Sequence, residues 1–196
     1  MVRFTIKKQK IALFGTSADP PTAGHGEILR RLKEEYDIVG VWAADNPYKK
    51  HGSQLGQRMK MLELLVGEIE GAGEKIYLGS ELSDRRSLTS VERAIEKWGE
   101  ENEYTLVIGA DLVGQIKSWY RVRDLFKITK LLIVPRADYT IDPIQIKEIE
   151  KLGAKYEIAT KIKAPRVSSS EYRNRGDLSI LTDSVREYIE QAKLYL

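Results

Sequence analysis

Short apolar runs alternate with longer segments of helical period along the chain, and this rhythm restricts the fold more than any other feature. Lys10-Ile11-Ala12-Leu13-Phe14 is an apolar run stopped by Gly15 and reads as a strand. Ile28, Leu29, Leu32 and Tyr36 follow at helical spacing, then Ile38-Val39-Gly40-Val41-Trp42 as a second strand. Leu55, Met59, Leu62, Leu65, Val66 and Ile69 mark a long amphipathic helix ending near Gly71-Ala72-Gly73. Lys75-Ile76-Tyr77-Leu78 is a short strand, and Leu88, Val91, Ile95 and Trp98 give a helix closed by Gly99. The second half repeats the pattern: strands at 104–108 and 130–134, a broken helical segment over 111–127, a helix at 143–152, an extended stretch at 156–159 and an amphipathic helix from Asp183. Strands that alternate with helices need crossovers, so the fold class is α/β, a mostly parallel sheet with helices on both faces. No Pro/Gly/Ser-rich linker divides residues 1–196, which read as a single domain.

Composition narrows the chemistry. With 196 residues, 42% hydrophobic and 31% charged, the chain can bury a core without covalent or metal staples. There is no cysteine, which excludes a disulfide framework, zinc–thiolate and iron–sulfur sites and a thiol nucleophile. The two histidines, His25 and His51, are too few for a His-rich metal site, and no metal ligands are assigned. His51 reads as a surface residue. Thirty-two Lys+Arg against 29 Asp+Glu leave a net charge of +3 with the signs interspersed. No basic stripe interleaved with aromatics is present, which argues against a nucleic-acid partner. No apolar run approaches the ~18 residues of a membrane span, and Met1–Lys7 lack an apolar signal core. The expected setting is soluble and cytoplasmic, and self-association into a homo-oligomer stays open.

In an open parallel sheet, ligands bind beyond the carboxyl ends of the strands. After the first strand comes Gly15-Thr16-Ser17-Ala18-Asp19-Pro20-Pro21-Thr22-Ala23-Gly24-His25-Gly26, which is neither a Walker loop nor G-x-G-x-x-G. It nevertheless has the parts for holding phosphate. Gly15 and Thr16 offer backbone N–H groups, Pro20-Pro21 stiffens the turn, and Thr22 and His25 share a face of the entering helix. Gly24 and Gly26 leave room for a ligand, and the helix N-terminus adds partial positive charge. The alternative is a Gly/Pro-rich turn with Thr22 as N-cap and His25 on the surface. Near the C-terminus, Val167-Ser168-Ser169-Ser170-Glu171-Tyr172-Arg173 reads as a helix start capped by Ser168 with Glu171, carrying hydroxyl donors and a forked guanidinium.

These stretches carry a family resemblance. Gly15–His25 resembles the G-G-T-F-D-P-P-H-x-G-H loop of bacterial nicotinate mononucleotide adenylyltransferases, members of the [HT]-x-G-H nucleotidyltransferase superfamily. Asp19-Pro20-Pro21 and Gly24-His25 match, Thr22 stands for the first histidine, Thr16 for the second glycine and Ala18 for phenylalanine. Val167–Arg173 resembles I-S-S-T-x-I-R, with Ser170 for Thr and Tyr172 for Ile. Asp45–Lys50 resembles P-P-H-K through Pro47 and Lys49, with Asn46 and Tyr48 as replacements, and Ser87-Leu88-Thr89 resembles S-Y-T. Ile108-Gly109-Ala110-Asp111 and Ser118-Trp119-Tyr120 resemble I-G-x-D and the later W-Y, and Val134–Tyr139 is similar to V-x-R-P-G-Y without its Pro-Gly.

The resemblance implies a Rossmann-like nucleotidyltransferase domain over 1–196 that moves AMP from ATP to nicotinate mononucleotide, releasing pyrophosphate, with Mg2+ accompanying ATP. It assigns His25, Thr22 and Arg173 to catalysis. ATP would meet Gly15, Thr16, Ser17, Thr22, His25, Gly109, Asp111, Ser169, Ser170 and Arg173. The mononucleotide would meet Asn46, Lys49, Thr89, Trp119 and Tyr120. Read as residues alone, Lys49 is also an exposed turn lysine, Thr89 a first-turn helix residue, and Trp119-Tyr120 an interhelical pair. Nicotinamide mononucleotide or phosphopantetheine as acceptor, or a nucleotide-binding regulator with weak catalysis, remain alternatives.

Overall fold

The computed structural model describes residues 7–46, 49–136, 139–162 and 167–195. Pro47 and Tyr48 of the P-P-H-K-like segment, and Ala137 and Asp138 of the turn before Tyr139, lie outside the described residues. In chain order the elements are β1 (Lys10–Thr16), α1 (Ala23–Glu35), β2 (Ile38–Ala43), α2 (Leu55–Gly67), β3 (Ile76–Leu78), α3 (Ser87–Trp98) and β4 (Glu103–Gly109). Then come α4 (Val113–Ile116), α5 (Val122–Ile128), β5 (Lys130–Val134), α6 (Pro143–Lys151), β6 (Tyr156–Ile158), α7 (Ser169–Arg175) and α8 (Asp183–Gln191).

The strands form one sheet in the order β3-β2-β1-β4-β5-β6. Every ladder is parallel; Ile11 pairs with both Ile38 and Tyr104, which fixes β1 between β2 and β4. The chain runs outward from β1 toward β3, then returns to β1's other side and runs outward again through β4. β1 and β4 therefore flank the point where the order reverses, and the loops leaving their carboxyl ends diverge there.

Period-two alternation sends the strand residues to opposite faces. Ala12, Phe14, Val39, Val41, Val107 and Leu132 pack with Leu29 and Leu32 of α1, Met61, Leu62 and Leu65 of α2, Tyr172 of α7, and Val185 and Ile189 of α8. Ile11, Leu13, Leu106, Ile108, Leu131 and Ile133 pack with Leu88 and Val91 of α3, Val113 and Ile116 of α4, Leu125 and Phe126 of α5, and Ile149 of α6. Burial on both faces explains why the strands read as continuous apolar runs. The α/β, Rossmann-like expectation is met. α2 stops at Gly67, earlier than the Gly71-Ala72-Gly73 signal; a 3-10 turn at Ala72–Glu74 keeps Ile69 and Ala72 against the core instead.

Gly40 sits mid-strand where a side chain would otherwise be expected. A Cβ there would come within 2.9 Å of the Trp98 ring and 3.2 Å of Leu13. Gly40→Ala should therefore overpack this face and cost about 1–3 kcal/mol, measured by urea unfolding.

Candidate active site

The loop after β1 folds onto itself through Thr22 and His25. Thr22 is fully buried and is the N-cap of α1, in extended backbone. Its backbone N–H donates to His25 Nδ1 at 3.0 Å, and its Oγ1 lies 3.0 Å from the same nitrogen. A ring nitrogen that accepts a backbone N–H is unprotonated, so the neutral ring carries its proton on Nε2. That atom lies 3.1 Å from Thr16 Oγ1. Burial, with the positive charges of Arg136 and Lys49 behind it, pushes the His25 pKa down to about 4. His25 at neutral pH is therefore an oriented, uncharged donor. The N-cap reading of Thr22 and the ligand reading of His25 are compatible, because the cap is what aims the ring.

Beneath this turn lies Asp19, a buried carboxylate. Oδ1 accepts from Ser53 Oγ and from Tyr195 OH, both at 2.7 Å, and Oδ2 accepts from the Gly52 N–H at 2.6 Å. Arg173 Nη1 is 3.6 Å from Oδ2, as is His51 Nδ1. Burial alone would raise the Asp19 pKa; the bonds from Ser53, Tyr195 and Gly52 and the charge of Arg173 outweigh it and hold it below the ordinary carboxylate value. Gly52 has no side chain because the Tyr195 ring occupies that space; a Cβ would lie 2.7 Å from it.

The C-terminal serine motif meets the same loop. Ser168 Oγ accepts from Glu171 N–H at 3.1 Å and caps α7. Ser169 Oγ donates to the carbonyl of Pro20 at 2.7 Å, across 149 residues of chain. Arg173 donates to the carbonyl of Asp19 and, at 3.2 Å, to Ser170 Oγ. On the other side, buried Arg58 of α2 donates to the carbonyls of Ser17 at 2.9 Å and Ala44 at 2.8 Å, tying the loops that follow β1 and β2. Gly15 lies under Trp42: a Cβ would sit 2.6 Å from that ring, so packing requires glycine here.

The remaining expected residues divide between two neighbourhoods. Asp111, just after β4, pairs with Arg136 at 3.1 Å, and a Cβ on Gly109 would lie 2.5 Å from the Asp111 carboxylate. Lys49 is exposed and its N–H donates to the Asn46 carbonyl at 3.3 Å. Between the end of β2 and the start of α3 opens a cleft of about 570 Å³, lined by Asp45, Ser83, Arg85, Arg86 and Thr89 among others. Trp119 packs against the helices of its face, while Tyr120 is exposed, with the Arg86 guanidinium 4.1 Å above its ring. The interhelical reading thus holds for Trp119 and not for Tyr120.

His51 is not a surface residue. Its side chain is only 14% exposed, it faces Asp19, and its Nε2 is buried without a hydrogen-bond partner. Ser53, Arg58 and Tyr195 also belong to this neighbourhood, and no local motif marks them because their partners lie far along the chain; Arg136 joins them from the turn after β5.

The unfolded chain protonates His25 near pH 6.5 and the folded chain only near 4. Stability therefore falls as pH drops from 6.5 to 4 and stops falling from this cause below 4. The His25 ring protons should titrate near pH 4 by NMR, and His25→Gln should flatten that portion of the urea-unfolding stability curve. Asp19→Asn places an amide N–H2 among four donors and strands Arg173; it should cost about 3 kcal/mol in the same assay.

The Cytidylyltransferase-like family profile matches residues 13–175, which include both phosphate-type stretches. The probable nicotinate-nucleotide adenylyltransferase of Synechocystis sp. is 43% identical over 197 residues, covering 95% of this chain and 98% of its own. The one of Bacillus cereus is 28% identical over 202 residues, covering 95% and 98%. Plasmodium falciparum nicotinic acid mononucleotide adenylyltransferase complexed with NaAD superposes with a TM-score of 0.79 at 21% identity, over 96% of this chain and 98% of its own, and shows the same fold. A near-full-length relative at this identity, together with a profile that spans the loop after β1 and α7, shows that the chain belongs to the nicotinate-nucleotide adenylyltransferase family of cytidylyltransferase-like enzymes.

Proposed function

We propose that this chain transfers the adenylyl group of ATP to nicotinate mononucleotide, yielding nicotinate adenine dinucleotide and pyrophosphate. The observation that carries this reading is the joining of the loop after β1 to the serine-arginine turn of α7, through Ser169 to Pro20 and Arg173 to Asp19. Two distant stretches rich in anion donors thereby form one wall at the carboxyl edge of β1.

The 5′-phosphate oxygen of the mononucleotide attacks the α-phosphorus of ATP. A new P–O bond forms as the bond from the α-phosphorus to the bridging oxygen breaks, and its electron pair leaves on pyrophosphate. The nucleophile is already an anion, so no protein base or covalent intermediate is needed. The protein's work is alignment and stabilisation of the charge that moves onto the leaving group. His25 Nε2–H, which meets Thr16 Oγ1 at 3.1 Å in the free protein, is the donor assigned to that task. Because the ring is neutral, it donates without having to lose a proton. Ser170 Oγ–H and the outer N–H groups of Arg173 supply further donors; the hydroxyls of Thr22 and Ser169 are engaged by His25 and the Pro20 carbonyl and shape the wall instead, and Arg136 and Lys49 supply positive potential around His25.

Magnesium enters as part of the ATP substrate, where it neutralises triphosphate oxygens. The donor set fits that arrangement. Among the described residues no group of three or more His, Asp or Glu side chains is placed to hold a metal ion, and the Asp19 oxygens are already occupied by protein donors. Among the described residues no helix is long and apolar enough to cross a membrane.

A pyrophosphate-release assay with ATP, magnesium and nicotinate mononucleotide tests the reading. Wild type should turn over. His25→Ala should lose about 10²–10³ in kcat, the scale of one transition-state donor, with unchanged far-UV circular dichroism. Near-wild-type kcat in that variant would remove His25 from the chemistry. ATP binding without pyrophosphate release in wild type would favour a nucleotide-binding regulator.

A further inference from the structure

The cleft between β2 and α3 holds an unbalanced set of charges. Arg85 pairs with Asp45 at 3.2 Å, and Arg93 pairs with Asp84 at 3.1 Å. Asp84 also accepts the backbone N–H of Arg86 through Oδ1, so its two oxygens are both taken. Arg86 itself has no carboxylate and no hydrogen-bond acceptor at its guanidinium among the described residues; its contact is the face of Tyr120, 4.1 Å to the ring centroid. Thr89 lines the same cleft, one turn into α3.

A guanidinium lying on an aromatic face keeps its N–H edges free and its plane fixed. Little side-chain entropy remains to be lost when a planar anion meets that edge in a two-pronged contact. The surrounding carboxylates are already neutralised by Arg85 and Arg93. Arg86 therefore gives the cleft an unanswered positive charge with a directional edge, and the ligand it suits is a flat, singly charged anion.

We propose that Arg86, held by Tyr120, receives the pyridine carboxylate of the mononucleotide and sets the preference for the acid over the amide. This rests on the adenylyl-transfer reading above and adds the residue that would choose the second substrate. A carboxylate offers two equivalent acceptors to the fork. A carboxamide offers one, and its N–H2 would point at the guanidinium's own donors, leaving both unpaired. Tyr120 acts through Arg86 and is a positioning residue.

The test measures pyrophosphate release with ATP and each mononucleotide, nicotinate and nicotinamide, in wild type, Arg86→Gln, Arg86→Lys and Tyr120→Leu. Arg86 is exposed and its side chain caps nothing, so the variants should fold; thermal midpoints within a few degrees of wild type check this. In Arg86→Gln, kcat/KM for the nicotinate form should fall about 10- to 100-fold, the scale of a charge-assisted hydrogen bond. Most of the loss should appear in KM, the KM for ATP should be unmoved, and the acid-to-amide ratio should collapse toward one. Arg86→Lys should recover part of the loss, and Tyr120→Leu should show a smaller shift of the same sign. Equal losses on both mononucleotides would overturn the proposal, since the guanidinium would then meet the shared 5′-phosphate. An unchanged ratio in a folded Arg86→Gln would overturn it as well. Wild type inactive with both mononucleotides would instead sink the adenylyl-transfer reading, and this proposal with it.

Discussion

A single buried carboxylate organises the site. Asp19 is 1% exposed, and removing a charge from water costs several kcal/mol unless donors replace the lost solvent. The chain meets that demand from three places outside the loop: Gly52 and Ser53 before α2, Arg173 on α7, and Tyr195 beyond α8. Each donor is far from Asp19 in sequence, so the carboxylate can be satisfied only when the loop, α7 and the C-terminal segment have all docked. The cost of leaving it unsatisfied is what couples them. The same bonds engage both Asp19 oxygens, so this carboxylate acts as scaffold.

From that scaffold the chemistry of His25 follows. The loop that Asp19 anchors leads into Thr22, whose backbone N–H takes the Nδ1 lone pair. This fixes both the tautomer and the direction of Nε2. Burial and two nearby cations then hold the ring neutral. A ring held neutral in one tautomer offers a single directed N–H from Nε2, and any charge that answers a phosphate there must come from the neighbouring cations Arg136 and Lys49.

Much of the fold was legible in the sequence because the sheet is buried on both faces. Apolar runs such as Leu131-Leu132-Ile133-Val134 can then be read without ambiguity of face, and the helices between them show plain 3.6-residue periods. The end of α2 was misplaced because Gly71-Ala72-Gly73 is a stronger local stop signal than anything near Gly67, while tertiary packing of Ile69 and Ala72 makes a turn there instead. At the site, local motifs found the groups whose roles depend on neighbours in sequence: Thr22 with His25, and Ser168 with Glu171. They could not find Ser53, Arg58 or Tyr195, whose partners lie across the fold. His51 was misread for the same reason. A histidine among Lys49, Lys50 and Gly52 looks solvated until Asp19 is known to lie beside it.

Ion pairing around the site separates scaffold from exchangeable charge. Arg173 and Asp19 form a pair with one partner sealed from water, so substrate cannot draw Arg173 wholly away without stranding a buried carboxylate. The Asp111–Arg136 pair is different: its side chains are 31% and 48% exposed, and such pairs contribute little, ~0–1 kcal/mol. Parting Arg136 from Asp111 therefore costs the fold little. The two arginines thus have unequal parts. Arg173 keeps the wall in place, whereas Arg136, across the divergence between β1 and β4, is held by an exposed pair alone. That division follows from burial: the carboxylate that answers Arg173 is sealed from water, and the one that answers Arg136 is not.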